Sequence, residues 1–167
     1  MAIVDQRDLI GDASTDSAAW VDDGGGTTPT TFTDSAPPGA TTVISDKISN
    51  TLDGILYFDS TPTGGAYADG DTIYIWWISL FGSVDIVANG GVRMKFAGAS
   101  LTDYFEVIIG GSDSGKSGWQ LTAVNIGKAR ANPDFTGGTP PTAANVQHVG
   151  IRWNITANVG GLSLIHI

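Results

Sequence analysis

Apolar residues along this chain recur every second position in short runs, and glycine, proline, asparagine or aspartate closes most of the runs. In the segment Val92 to Phe96, Val92, Met94 and Phe96 fall on one face and Arg93 and Lys95 on the other. In the next run, Tyr104 to Ile109, Phe105, Val107 and Ile109 form one row and Tyr104, Glu106 and Ile108 the opposite one. Near the C-terminus Val149, Ile151, Trp153 and Ile155 align, with His148, Arg152 and Asn154 directed outward. Such alternation predicts antiparallel strands with one buried and one solvated face. Further strands are predicted at Gly54 to Asp59, at Trp119 to Ile126 with a bulge near Ala123, and as short pieces near Leu9-Ile10 and Trp20-Val21. No window carries a helical stripe, so the expected fold is an all-β antiparallel β-sandwich of the jelly-roll kind.

One run breaks the alternation. Thr72 to Phe81 reads T-I-Y-I-W-W-I-S-L-F and is apolar on both faces. Ile73, Ile75, Trp77 and Phe81 make one row, while Tyr74, Trp76, Ile78 and Leu80 make the other. A half-exposed strand should carry a polar row. Either a second layer covers the outer face, or Tyr74 and Trp76 form an open aromatic platform for sugar rings or a partner protein. Trp119 is a third candidate for the platform.

Composition agrees with strands and loops. The 167 residues are 41% hydrophobic, enough for one domain with one core, and 23 are glycine. Glu106 is the only glutamate among 17 acidic residues; the others are aspartates, which favour turns over helices. Residues 22–42 are low in complexity and are expected to form a long loop within a single domain spanning 1–161. The net charge of −9 and scattered cations argue against nucleic acid as a partner. There is no run long enough to cross a membrane as a helix. With no cysteine, thiolate catalysis and disulfides are excluded. The start Met1-Ala2-Ile3-Val4-Asp5 lacks the basic and apolar regions of a signal peptide, which predicts synthesis in the cytosol.

Three chemical motifs need weighing. Gly110 to Ser117 reads G-G-S-D-S-G-K-S and fits the phosphate-loop pattern G-x-x-x-x-G-K-[ST]. That loop functions by opening a helix whose amides hold the phosphates. Here a strand-like run follows, so the expected structure is a hairpin joining Tyr104–Ile109 to Trp119–Ile126, and no nucleotide is expected. Catalysis is not expected either: Glu106 has no sequence-adjacent acid closer than Asp103, and His148 lies on an outward row without a nucleophile elbow. Asp69, Asp71 and Asp113 offer hard oxygen ligands for calcium from loops, without a complete loop signature, and otherwise serve as turn formers. No cofactor is expected beyond that calcium.

Together, W-V-D-D, D-G-D-T-I-Y-I-W-W, Y-F-E-V-I-I-G-G, G-W-Q-L-T-A-V and V-G-I-R-W-N-I-T resemble concanavalin A-like jelly-roll domains, those of tailed-bacteriophage structural proteins above all. The resemblance implies a non-enzymatic virion protein of the tail or capsid surface, assembled in the host cytoplasm. Its partners would be other virion proteins, further copies of itself as a homo-oligomer, or a host-surface glycan. The alternative reading is a carbohydrate-binding module with an aromatic stacking face, acting outside the cell. Residues 162–167, L-S-L-I-H-I, resemble the start of a peptide translated from sequencing-adapter DNA. Two readings of them stay open: a non-native tail that leaves a sheet edge unpaired, or an ordinary strand after the turn Gly160-Gly161.

Overall fold

The computed structural model of the protein describes residues 20–22, 30–32, 43–48, 53–59, 66–79, 92–110, 119–154 and 161–166. Within these, 20–22, 30–32, 43–48, 53–59, 78–79, 153–154 and 161–166 are described by backbone and register. The strands are β1 (Trp20–Asp22), β2 (Thr30–Phe32), β3 (Val43–Ile48), β4 (Asp53–Asp59), β5 (Thr72–Ser79) and β6 (Val92–Ala97). They continue with β7 (Tyr104–Gly110), β8 (Gln120–Asn125), β9 (Phe135–Gly137), β10 (His148–Asn154) and β11 (Gly161–His166).

They form two antiparallel sheets. One has six strands in the order β1-β4-β10-β6-β7-β9, and the other five in the order β2-β3-β11-β5-β8. Buried residues of both sheets share one cluster: Ile73, Ile75 and Trp77 from β5 join Val92, Met94, Phe96, Phe105, Val149 and Ile151 from β6, β7 and β10. The alternating rows of these strands therefore face each other across the sandwich, as the period-two pattern requires. Phe96 and Phe105 stand opposite in register and stack with ring centroids 5.0 Å apart. Trp77 is fully buried, and its indole Nε1 donates to Thr122 Oγ1 at 3.1 Å, so its polar atom is satisfied inside the core.

The all-β sandwich is the expected architecture, but several details differ from the sequence reading. Tyr104–Gly110 and Gln120–Asn125 do not form a hairpin: β7 belongs to the six-stranded sheet and β8 to the five-stranded one. The chain crosses between layers there. The first described residues after the G-G-S-D-S-G-K-S segment are Trp119 and the strand β8, not a helix, so the context of a phosphate loop is missing. Residues 111–118, Asp113 among them, lie outside the described residues, as does Leu9-Ile10.

No bulge occurs at Ala123, since the register of β5 with β8 runs unbroken from Thr72↔Asn125 to Trp77↔Gln120. The change of row after Leu121 has another cause: Leu121 is an apolar residue on the outer, exposed row of an unbroken strand, whereas Val124 lies on its inner row. After Asn125 a helix, α1 (Ile126–Ala131), begins. No helix was expected from the sequence. This one is six residues long, too short to show a stripe beyond buried Ile126 and Ala129. Asn125 starts it as N-cap, its Oδ1 accepting from Lys128 N at 2.9 Å. The same side chain donates from Nδ2 to Gly70 O and Asp71 O, tying the helix start to the turn before β5. The stretch expected to be a loop, 22–42, contains the short strand β2, which pairs with β3. Strand β11 lies between β3 and β5 and is paired on both sides.

Candidate functional site

Two sites carry chemistry. The first is the face of β5 that points away from the core. Ile73, Ile75 and Trp77 are buried at 4%, 0% and 0% exposure, while Tyr74 between them is 60% exposed. Trp76 is half-buried on the same outer row. Opposite Trp76 in register stands Leu121 of β8, 52% exposed, and opposite Tyr74 stands the exposed Ala123. Trp119, just before β8, is half-buried and engaged in an interaction. The structure thus brings Tyr74, Trp76 and Leu121 into one patch on the outer face of the five-stranded sheet. Tyr74 presents its ring to solvent; Trp76 is held partly by packing.

The second site is a buried cluster behind the opposite sheet face, and the sequence reading missed it. Arg93 and Lys95, expected on a solvated face, are each 3% exposed, and Glu106 is fully buried. The alternation was right in placing them on the row opposite the core. It could not reveal that this row is covered. In register, Lys95 stands opposite Glu106, and Arg152 opposite Arg93, across the adjoining strands β7, β6 and β10. Arg93 Nη1 donates to Glu106 Oε2 at 3.0 Å, and Arg152 Nη1 to Oε1 at 3.1 Å. Lys95 Nζ lies 4.0 Å from Oε1. The sole glutamate of the chain therefore accepts from two arginines with a lysine close by.

Aromatic rings complete the cluster. The Arg93 guanidinium carbon sits 3.5 Å from the centroid of Phe135, and Lys95 Nζ sits 3.7 Å from that of Tyr104. The strand β9 that carries Phe135 is anchored through Asp134, whose backbone N donates to Glu106 O and whose Oδ2 accepts from Ile108 N. Gly137 lies against the Tyr104 ring so closely that a Cβ would enter it, and Gly138, at φ +53°, takes the left-handed turn beyond. Arg93 Nε is buried and has no hydrogen-bond partner, a residual cost of the arrangement. A signal for the cluster existed in the sequence: one glutamate, and three cations on the same-parity rows of neighbouring strands.

Asp69 and Asp71, two of the three acidic candidates, make local contacts. Asp69 accepts from Arg130 Nη2 at 2.8 Å and from Nε at 3.2 Å, and this hydrogen bond and charge raise the Arg130 pKa above its ordinary value. Asp71 Oδ2 accepts from Ala68 N at 2.8 Å and closes the turn Ala68-Asp69-Gly70-Asp71. Among the described residues no three His, Asp or Glu side chains gather as a metal centre would require. His148 is half-buried and engaged, rather than fully outward.

No protein-family model matches the chain, and no curated protein matches its sequence. Solved structures do match by shape. The chain is similar to an arabinose-bound GH51 α-L-arabinofuranosidase, with TM-score 0.57 and 10% identity, covering 93% of this chain and 23% of that one. It is also similar to the family 11 carbohydrate-binding module from Clostridium thermocellum in complex with a β-1,3-1,4-mixed-linked tetrasaccharide. There the TM-score is 0.52 and identity 11%, over 89% of this chain and 85% of the module. A family 11 module of a cellulosomal cellulase of the same organism matches at TM-score 0.50 and 11% identity, over 94% and 92%. At such identities the likeness defines the fold, a β-sandwich of the kind found in carbohydrate-binding modules. Nothing in these comparisons links the chain to bacteriophage virion proteins, so the finer half of the family resemblance is without support.

Proposed function

We propose that this chain is a non-catalytic carbohydrate-binding module that holds a glycan on the outer face of its five-stranded sheet. The observation that carries the reading is the 60% exposure of Tyr74 on a strand whose alternate residues are fully or almost fully buried. A sugar ring has an apolar C–H face and a polar rim. A flat aromatic side chain matches the first, and a phenol hydroxyl can bond the second. Trp76, two residues along the same row, extends the platform, and Leu121 widens it across the strand pair. A module of this shape that is seen with a bound tetrasaccharide lends the reading further weight. Glu106, held between Arg93 and Arg152, has a structural role in this reading. This reading takes the place of the virion role, with a polysaccharide or a cell-surface glycan as the partner.

Isothermal titration against a panel of soluble polysaccharides tests it, with intact protein and with Tyr74→Ala and Trp76→Ala. One stacked ring contributes about 1 kcal/mol, so Tyr74→Ala is expected to weaken binding roughly five- to tenfold. Its melting temperature should not change, since the ring is exposed. No binding across the panel, or equal binding by Tyr74→Ala and Trp76→Ala, would refute the platform.

A further inference from the structure

Among the described residues each sheet ends in two edge strands, and three of these four edges, β1, β2 and β9, are only three residues long. Short edges are one of the ordinary defences against strand addition; charge, proline and bulges are the others. The fourth edge, β8, has none of these. It is six residues long, its sequence Q-L-T-A-V-N is uncharged and free of proline, and its pairing with β5 is regular throughout. Its other side pairs with no strand among the described residues, and a row of backbone donors and acceptors there would suit another extended strand. The outer residues Leu121 and Ala123 are exposed beside Tyr74, so the apolar patch runs up to the edge.

We propose that β8 is a homodimer seam, in which two copies of this chain join antiparallel through this strand. A second copy presents the same uncharged edge at equal concentration, and antiparallel pairing of identical strands is the arrangement that a two-fold axis generates. Faces must match across the seam, with inward residues opposite inward ones. Burial alternates along β8, with Val124 at 8% on the inner row and Leu121 at 52% on the outer. An axis through Thr122 satisfies this. It sets Thr122 against Thr122 of the partner subunit, Leu121 against Ala123 of the partner subunit, and Gln120 against Val124 of the partner subunit. Gln120 Nε2, buried and without a partner within the chain, lies on this seam. The two five-stranded sheets become one of ten strands, with both outer patches on a single face. The dimer does not depend on the glycan reading, and each can fail alone.

A seam of this size is small, so dimers are expected at concentrations on the order of micromolar and above. Sedimentation velocity over a concentration series should show monomer giving way to dimer. The chain has no cysteine, so Thr122→Cys places a single thiol at the axis; it also gives up the hydrogen bond from Trp77, so retention of the fold is checked by circular dichroism. Under mild oxidation this variant should form a covalent dimer far faster than Ala131→Cys, at the exposed end of α1. The double variant Leu121→Lys, Ala123→Lys places like charges opposite each other across the seam and should weaken the dimer about tenfold or more. Its circular dichroism should match that of the intact protein, because both sites are exposed. Monomer at every concentration overturns the proposal. So does a dimer that survives the double variant, or a Thr122→Cys chain that crosslinks no faster than the control.

Discussion

Replacing Glu106 with glutamine tests the buried cluster most directly. The change preserves shape and removes one charge. In the native protein the carboxylate is fully buried and accepts from Arg93 at 3.0 Å and Arg152 at 3.1 Å, with Lys95 at 4.0 Å. Glutamine keeps one acceptor oxygen but turns an NH₂ donor toward one of the arginine donors. Three cations then face a neutral amide, and the side chains of Arg93 and Lys95 are only 4% exposed. Breaking a buried ion pair from one side costs about 3–5 kcal/mol. For a domain of this length each kcal/mol lowers the melting temperature by roughly 2–4 °C, so a fall of about 6–20 °C is expected. Thermal unfolding followed by far-UV circular dichroism at neutral pH measures it. A companion double variant, Arg93→Met with Glu106→Leu, removes charges of both signs and should recover part of the loss. A fall of less than about 2 °C for Glu106→Gln would refute the claim that this carboxylate holds β6, β7 and β10 together.

Other substitutions separate packing from surface effects. Trp77→Phe loses the hydrogen bond to Thr122 and leaves part of a fully buried site empty; a cost of about 1–3 kcal/mol is expected in urea unfolding. Asn125→Ala removes both the α1 cap and the bonds to Gly70 and Asp71, and should cost about 1–2 kcal/mol by the same measurement. Gly137→Ala forces the Tyr104 ring off its seat over Lys95, and should lower the melting temperature and alter the near-UV tyrosine signal. Arg130→Ala breaks an exposed ion pair and should leave the melting temperature unchanged within error.

Strand positions were legible because burial on one face writes a period of two into the sequence. The inner row Ile73, Ile75, Trp77 and its partners in β6, β7 and β10 follow directly from it. What the period cannot encode is the cover over the other face. Arg93 and Lys95 look solvated by type, and their burial depends on Glu106, which is distant in sequence and adjacent in space. Tyr74 presents the converse case: an apolar outer row suggested a cover, yet the ring is open. Strand β3, V-I-S-D-K-I, escaped notice because its run includes Asp46 and Lys47, although it pairs with a neighbour on each side. The short strand expected at Trp20-Val21 is β1, whereas β2, β9 and a six-residue helix are too short for any period to register.

The connection after β7 shows why sheet assignment was the least legible level. Residues 110–117 match a phosphate-binding pattern by residue type, and the runs on either side match a hairpin by alternation. Length argues against the hairpin. Nine residues, 111–119, separate β7 from β8, whereas hairpin loops are usually two to five residues long. Crossing from one layer of a sandwich to the other spans about 10 Å plus the width of the strands between, which a longer connection can reach. Crossing there places β8 beside β5 at the end of the five-stranded sheet, where Leu121 meets Trp76 in register and the second edge of β8 pairs with no other described strand. Had β8 paired with β7, both the aromatic patch and the uncharged edge beside it would have been taken apart.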